Sequence, residues 1–482
     1  MTDPRRPVGV RDTPVRAAGD PAGRERPAGV GDRLAALFDP VPPGETGDRG
    51  RAGRRRAVPL ALAAVLAATA VSLGRVGGPG PFNTVWAEDA TDFLTGALNR
   101  PATSTILLPV NGYFLVVPRL LSEAAALVPV AWAPAALTTS AALCAAALGL
   151  LVYHAAAATL PHPLARAVVA GGVVAAPVGE NNFTNVLNSV APLQFPMLFA
   201  LFWCALWAPR RRLVRAVQVG VVGLCAVSTF LAVVFIPLAL LRLGLRRDRL
   251  SAALLAAFLA GAALQAYGLL AGVSTRGDIS HPRIDPLWAL RSFVTWAVPF
   301  GLFGPEGVPG AGTTGNGLTH TGSGSGAGYL AAVAGAWLLV GAAVLVAARG
   351  RTRPAWSLAG VAGAHALGIL ALEVMVQGEL VLRYVFPCSL LLVTALVALL
   401  LPRPDRPRAR AALPLLAFTL VLLVAAAANY RLPTLRTRSA PWDVKVAEAR
   451  AYCAAHPGAG SARVRMLAPY PWSVRIPCRR LG

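Results

Sequence analysis

Glu88, Asp89 and Asp92 fall together in the stretch Val85-Trp86-Ala87-Glu88-Asp89-Ala90-Thr91-Asp92-Phe93. Clustered carboxylates flanked by aromatics can take a proton from an attacking hydroxyl, hold a divalent cation, or cap an interfacial helix while staying solvated. Glu88 and Asp89 are adjacent, so on a helix or turn they point in different directions and cannot fill one role equally. Asp92 follows Asp89 by three residues and shares its face if the stretch is helical. In a chain that is otherwise almost all apolar, such carboxylates are costly unless solvated or used.

Five further polar groups have spacings that allow chemistry, each with a plainer reading beside it. Asn111-Gly112-Tyr113 is followed by Pro118-Arg119. Tyr113 suits a lipid-headgroup level and Arg119 suits a phosphate, or the two are an interfacial anchor and a snorkelling cation. Gly179-Glu180-Asn181-Asn182-Phe183-Thr184-Asn185 gathers amides and a carboxylate that turns and helix caps also favour. Gln377-Gly378-Glu379 precedes Arg383-Tyr384, where the arginine either meets an anion or snorkels with Glu379 as partner. His365 and Glu373 lie inside a hydrophobic segment, as a functional pair or as mutual partners across two helical turns. Arg276, His281, Arg283 and Asp285 suit contacts to a substrate, but read best as a solvated loop.

The elements that position these residues are membrane helices. The chain has 482 residues, 55% hydrophobic and 14% charged, against roughly a quarter charged in soluble domains. Its apolar runs of about twenty residues predict an all-α polytopic membrane protein. Eleven spans are expected, at 57–74, 130–153, 164–179, 190–208, 214–228, 230–245, 251–273, 329–348, 355–376, 381–401 and 411–428. Residues 214–245 are short for two crossings, but both flanks are basic, so a helical hairpin turning near Ser228-Thr229 is expected.

Arginines before the first span, and at 210–212, 246–247, 349–353 and 403–410, place the N-terminus in the cytoplasm and the C-terminus outside. The net charge of +23 is then that of basic cytoplasmic loops. Without aromatic-interleaved basic patches it is no nucleic-acid footprint. Residues 1–56 read as a disordered cytoplasmic tail, 57–428 as the transmembrane domain and 429–482 as a small external domain. Cys453 and Cys478, isolated in that polar tail, are expected to form a disulfide, and Trp442 and Trp472 to be its core aromatics. Residues 106–127 and 287–303 are expected to lie along the membrane interface.

The acidic stretch after the first span resembles the acidic motif in the first extracytoplasmic loop of the GT-C superfamily, the polytopic glycosyltransferases that use lipid-linked sugars. Glu180, Asn181 and Asn185 resemble a Glu/Asn-rich loop of bacterial members. Arg383-Tyr384 resembles the Arg-Tyr that opens a late span in many members, and the tail resembles external domains of some actinobacterial ones. The resemblance covers roughly residues 57–401 in layout. It implies an inverting transferase that moves a sugar from a polyprenyl-phosphate donor to a glycan, lipid or protein acceptor, at the outer face of a bacterial cytoplasmic membrane. It implies Asp89 as the first choice of base and Glu88 as the second. Asp92, Tyr113, Arg119, Glu180, Asn181, Asn185, Arg383 and Tyr384 would contact substrate. Asp89 and Asp92 would be the ligands if a divalent cation takes part, as it does in some relatives.

Two other classes fit the composition: a transporter or flippase of lipid-linked sugars, and a non-catalytic scaffold for envelope assembly. Transporters usually carry repeat symmetry and midplane charges, whereas here the polar residues crowd one face. No Walker A, HExxH or GxSxG motif occurs and no Gly-rich GxGxxG string follows a strand-like run, so no soluble nucleotide-sugar site is expected.

Overall fold

The computed structural model describes residues 29–39, 51–178, 186–272, 282–309, 326–378, 380–405, 407–467 and 471–481. The protein is a helical membrane protein with almost no sheet. In an apolar solvent every backbone N–H and C=O must be paired within its own segment, and Ala- and Leu-rich runs of this length meet that demand as helices. Six described helices are long and apolar enough to cross a membrane: Val130–Ala158, Arg249–Leu270, Ala327–Ala348, Trp356–Gln377, Leu382–Leu399 and Arg410–Ala428. Three shorter apolar helices accompany them, Ala57–Leu73, Pro163–Ala175 and Ala191–Leu206.

Leu382–Leu399 is the centre of the bundle. All its residues but Arg383 are buried, against the helices 356–377, 298–303, 163–175 and 194–206. By contrast, 327–348 and 408–428 turn large apolar side chains outward, among them Leu338 and Leu420, as lipid-facing helices do. Of residues 287–303, expected to lie along the interface, Leu287 and Leu290 are exposed, while 296–302 pack into the bundle, where Gly301 sits so close to Ser389 that a Cβ would meet its side chain at 2.9 Å.

The helices Arg212–Ala226 and Ile236–Arg246 form the expected hairpin. Its tip, Ser228-Thr229, bonds Val117 and Gln194, while Gln218 and Arg242 from its two arms both reach the Trp207 carbonyl. At 15 and 11 residues, these arms are shorter than the roughly 20 residues of a full crossing.

The bundle has two distinct ends. Helices 194–206 and 382–399 start together at one end and run side by side. At the other end Arg242 binds the carbonyls of Ala205 and Trp207, and Thr352 and Arg353 bind those of Leu399 and Leu401. The Arg-rich turns therefore gather there. Within the N-terminal region expected to be disordered, Val30–Ala35 and the turn after it are helical and dock at this end. Leu37 and Phe38 supply the apolar contact that the surrounding composition lacks, and Asp39 pairs with Arg246 at 3.1 Å.

The opposite end carries residues 74–132 and the C-terminal domain. A π-helix, Asp89–Leu94, continues into the helix Thr95–Asn99. The helices Ala102–Thr105 and Val116–Ala125 follow, separated by a tight turn in which Val110 and Tyr113 exchange both backbone hydrogen bonds. Asn111 and Gly112 occupy the middle of that turn with φ of 51° and 81°, the left-handed values that an Asn-Gly turn requires. In the C-terminal domain, the helix Trp442–Ala455 packs on an antiparallel hairpin that pairs Ser461–Arg465 with Ser473–Pro477. The Cys453–Cys478 disulfide ties helix to hairpin.

Candidate cleft at one end of the bundle

The starts of helices 194–206 and 382–399, the 86–93 stretch, the Asn-Gly turn and the C-terminal hairpin all converge on one cleft. Its lining includes Trp86, Glu88, Tyr113, Gln194, Arg383 and Trp472. The cleft is narrow, with about 80 Å³ open to the centre of a water molecule. Backbone strain concentrates around it. Ala87 (φ 47°) and Asn111 (φ 51°) line the cleft, and Asn188 (φ 63°) precedes Ser189, which also does. Left-handed backbone in a non-glycine residue persists only where its surroundings impose it, and such residues cluster at functional sites.

The two neighbouring carboxylates part company here. Asp89 points away from the cleft and caps the turn that begins the 194–206 helix. Its Oδ2 accepts from the Val190 N–H and its Oδ1 from the Ala191 N–H, both at 3.0 Å, and Ser189 also bonds it. Burial pushes its pKa up to about 6, with the amides and the charge of Arg436 pulling the other way. Glu88, one residue earlier, lines the cleft and lies within electrostatic range of Arg383.

Asp92 is buried outside the cleft lining, and its backbone carbonyl accepts from Arg119 Nη1 at 2.6 Å. Arg119 likewise does not face the cleft. It is buried over the Phe93 ring, 4.8 Å from the centroid, and also holds the Leu108 carbonyl. Burial lowers its pKa to about 10, so it remains a cation near neutral pH. Its role is to fasten the π-helix to residues 108–119. Among the described residues, no three His, Cys, Asp or Glu side chains gather to hold a metal ion. Asp89, whose oxygens face amide hydrogens, is unsuited to ligate one.

No family model, curated protein or solved structure matches the chain. The chemistry of the cleft therefore rests on its own residues.

Tyr113 is in the cleft, hydrogen-bonded to Gln194, and its hydroxyl pKa is raised by burial and then by the charge of Glu373. Arg383 lines the same space, and Tyr384, just behind it, accepts a long 3.4 Å contact from Arg383 Nη2 while packing on Phe195. Glu180, Asn181, Asn185, Glu379, Arg276 and His281 lie outside the described residues. Arg283 and Asp285 form an exposed ion pair at 2.9 Å, away from the cleft. There Asp285 caps the helix Pro286–Ser292, and the Trp288 N–H first, then Arg283, lowers its pKa.

His365 and Glu373 do not pair, because eight residues of helix hold them about 12 Å apart along the axis. His365 stacks on Phe235 with ring centroids 5.3 Å apart. Glu373 is buried near Arg383 and Tyr113, and its Oε2 has no hydrogen-bond partner among the described residues.

Several lining residues carried no sequence signal for this role. Trp86 was visible only as an aromatic flank of the acidic stretch. Gln194 and Ser189 lie within or beside an apolar run. Trp472 was expected in the core of the C-terminal domain. Trp442 is the fully buried one, donating to the Val130 carbonyl at 2.8 Å, while Trp472 is half-buried in the cleft wall, 4.9 Å from Trp86. Arg436, also unanticipated, is buried and donates to Thr84, Asn188 and Thr138, which fixes the C-terminal domain to the bundle.

Proposed function

We propose that the protein is an inverting glycosyltransferase of the GT-C type, which moves a sugar from a polyprenyl-phosphate donor to a hydroxyl acceptor. The observation that carries this reading is the sharing of one cleft by Glu88 and Arg383, at the mouth of a membrane bundle. Arg383 opens an apolar span, so an anion bound to it can keep a lipid tail in the membrane. Glu88 comes from a segment that does not cross the bundle.

In the reaction, the Glu88 carboxylate takes the proton of the acceptor hydroxyl. The acceptor oxygen attacks the anomeric carbon from the face opposite the phosphate. The bond from that carbon to the phosphate oxygen breaks, and its electron pair leaves with polyprenyl phosphate, whose added charge Arg383 offsets. Configuration at carbon is inverted, and the proton stays on Glu88 until solvent removes it. Tyr113 and Gln194 are placed to hydrogen-bond hydroxyls of the transferred sugar.

The topology that goes with this reading has eleven crossings in a bacterial cytoplasmic membrane, the hairpin 212–246 counting as two shortened ones. The cleft and the C-terminal domain then face outward and the Arg-rich end faces the cytoplasm. The gathering of arginine turns opposite the cleft supports it. The test is binding of polyprenyl phosphate to the full-length protein in nanodiscs. Wild type should bind and Arg383→Gln should bind at least about tenfold more weakly, as expected for loss of a charge-assisted contact. Equal binding by the two would refute the assignment of Arg383.

A further inference from the structure

Part of the cleft lining, Trp86, Asn111 and Trp472, is built from parts the transfer chemistry does not use. Trp472 immediately precedes the strand Ser473–Pro477, and Cys478 immediately follows it. The strand docks on the helical stretch after Glu88. Ser473 N–H donates to Thr91 Oγ1 at 3.1 Å, Arg475 N–H to Thr95 Oγ1 at 3.1 Å, and Asn99 Nδ2 to the Arg475 carbonyl at 2.7 Å. These bonds and the disulfide set Trp472 against Trp86 in the wall.

Two polar atoms of this wall are buried without a partner among the described residues: the Trp86 Nε1 donor and the Asn111 Oδ1 acceptor. Trp86 is only 3% exposed. A buried donor and a buried acceptor left unpaired cost the protein about 1–3 kcal/mol each unless a ligand or water pairs them.

We propose that Trp86, Asn111 and Trp472 form a carbohydrate-binding subsite, and that the acceptor is a glycan held by its terminal ring. A pyranose or furanose ring offers what this wall lacks. Its C–H face covers an indole, and its hydroxyls both accept from an N–H and donate to an amide oxygen. A lipid hydroxyl would bring its chain against a wall with polar vacancies. A peptide backbone could pair both polar atoms but would lay no C–H face on the Trp472 indole. The division of the cleft agrees with this assignment. The Arg383 side begins in a membrane span, where a lipid-linked donor must stay, whereas the Trp472 side belongs to the C-terminal domain, where a water-borne chain end can approach. The assignment rests on the glycosyltransferase reading for the word acceptor but not for the binding itself.

The experiment is a titration of the full-length protein in nanodiscs, followed by saturation-transfer NMR. The probes are gluco-, manno-, galacto- and arabino-disaccharides, with a Ser/Thr-rich peptide and polyprenyl phosphate in parallel. At least one disaccharide should bind saturably. Trp86→Phe, which keeps a ring but loses the N–H, should weaken it about three- to tenfold. Trp472→Ala should weaken it at least as much, with Trp472→Phe recovering part of the loss. The double variant Cys453→Ser/Cys478→Ser, which leaves both indoles in place, should also weaken it. Polyprenyl phosphate should bind all of these as it binds wild type. If no disaccharide binds, if Trp86→Phe and Trp472→Ala bind like wild type, or if only the peptide binds, the subsite is refuted. If disaccharides bind as described but Arg383→Gln leaves polyprenyl phosphate binding intact, the subsite stands and the transferase reading falls.

Discussion

At the arginine-rich end of the bundle, Arg242 is buried and spends its guanidinium on the carbonyls of Ala205 and Trp207, at 2.6 and 2.7 Å, and on Ser251. At the cleft end, the hydrogen bonding of Arg383 among the described residues is one 3.4 Å contact to Tyr384, and the group faces a cleft that also holds Glu88. Both arginines flank apolar helices, and both would be described as snorkelling from sequence alone. The partner decides between them. Backbone carbonyls consume the charge of the first, which ties a hairpin to a helix end. The second keeps its charge directed toward a space that can hold an anion. The same contrast separates Asp89 from Glu88 at shorter range.

This comparison breaks if the two arginines behave alike. Arg383→Gln should cost the transfer rate at least about a hundredfold, as removing one group that stabilises developing negative charge does. Arg242→Gln should leave the rate per folded molecule unchanged and lower the unfolding temperature instead. Transfer assays normalised to folded protein separate the two.

The C-terminal domain gives the next largest effect. Cys453 and Cys478 close a loop of 25 residues, so Cys453→Ser should destabilise the domain by about 3.5 kcal/mol. Limited proteolysis should then cut within residues 441–481 while the membrane helices stay intact. Unchanged protease resistance would show that docking through Arg436 and Trp442 suffices.

Asp89 sharpens the contrast through pH. Its pKa is raised from 3.8 to about 6. The folded state therefore holds that proton more tightly than the unfolded chain. The contribution is fully present below about pH 4 and is lost as pH rises through 6, a swing of about 3 kcal/mol. The stability of wild type relative to Asp89→Asn should fall over that interval, as measured by thermal unfolding in detergent between pH 4 and 7. A flat difference would contradict the burial of this carboxyl. The smallest effect belongs to the Lys445–Glu448 pair, 3.0 Å apart on one helix, where Glu448→Ala at its exposed end should change stability by no more than about 0.5 kcal/mol.

Much of the scaffold was legible from local rules. Apolar runs such as 327–348 and 356–377 are long enough to read as helices without knowledge of their neighbours. The isolated cysteine pair likewise carries its meaning in a few residues. The division of labour in the acidic stretch was not legible, because Asp89 is capped onto amides 101 and 102 residues away, a fact of tertiary placement. Family resemblance favoured Asp89, and geometry points Glu88 into the cleft. Arg119 looked like a phosphate ligand because nothing in Pro118-Arg119 announces that Asp92 and Leu108 carbonyls will claim it. Trp472 belongs to a hairpin whose docking partner, Thr91–Asn99, lies nearly the whole chain away. In the N-terminal region, Leu34, Leu37 and Phe38 formed too short a cluster to stand out from a Pro/Gly/Arg-rich background, yet they suffice to dock.

The most direct measurement compares Glu88→Gln with Asp89→Asn in one preparation. Sugar transfer from polyprenyl-phosphate donors and thermal stability would be read on the same purified samples. Glu88→Gln should lose transfer by about a hundredfold or more at an unchanged unfolding temperature, as loss of a positioned base does. Asp89→Asn should shift the unfolding temperature and keep transfer per folded molecule. Full transfer by Glu88→Gln, or loss of transfer by Asp89→Asn at unchanged stability, would contradict the assignment of Glu88 as the base.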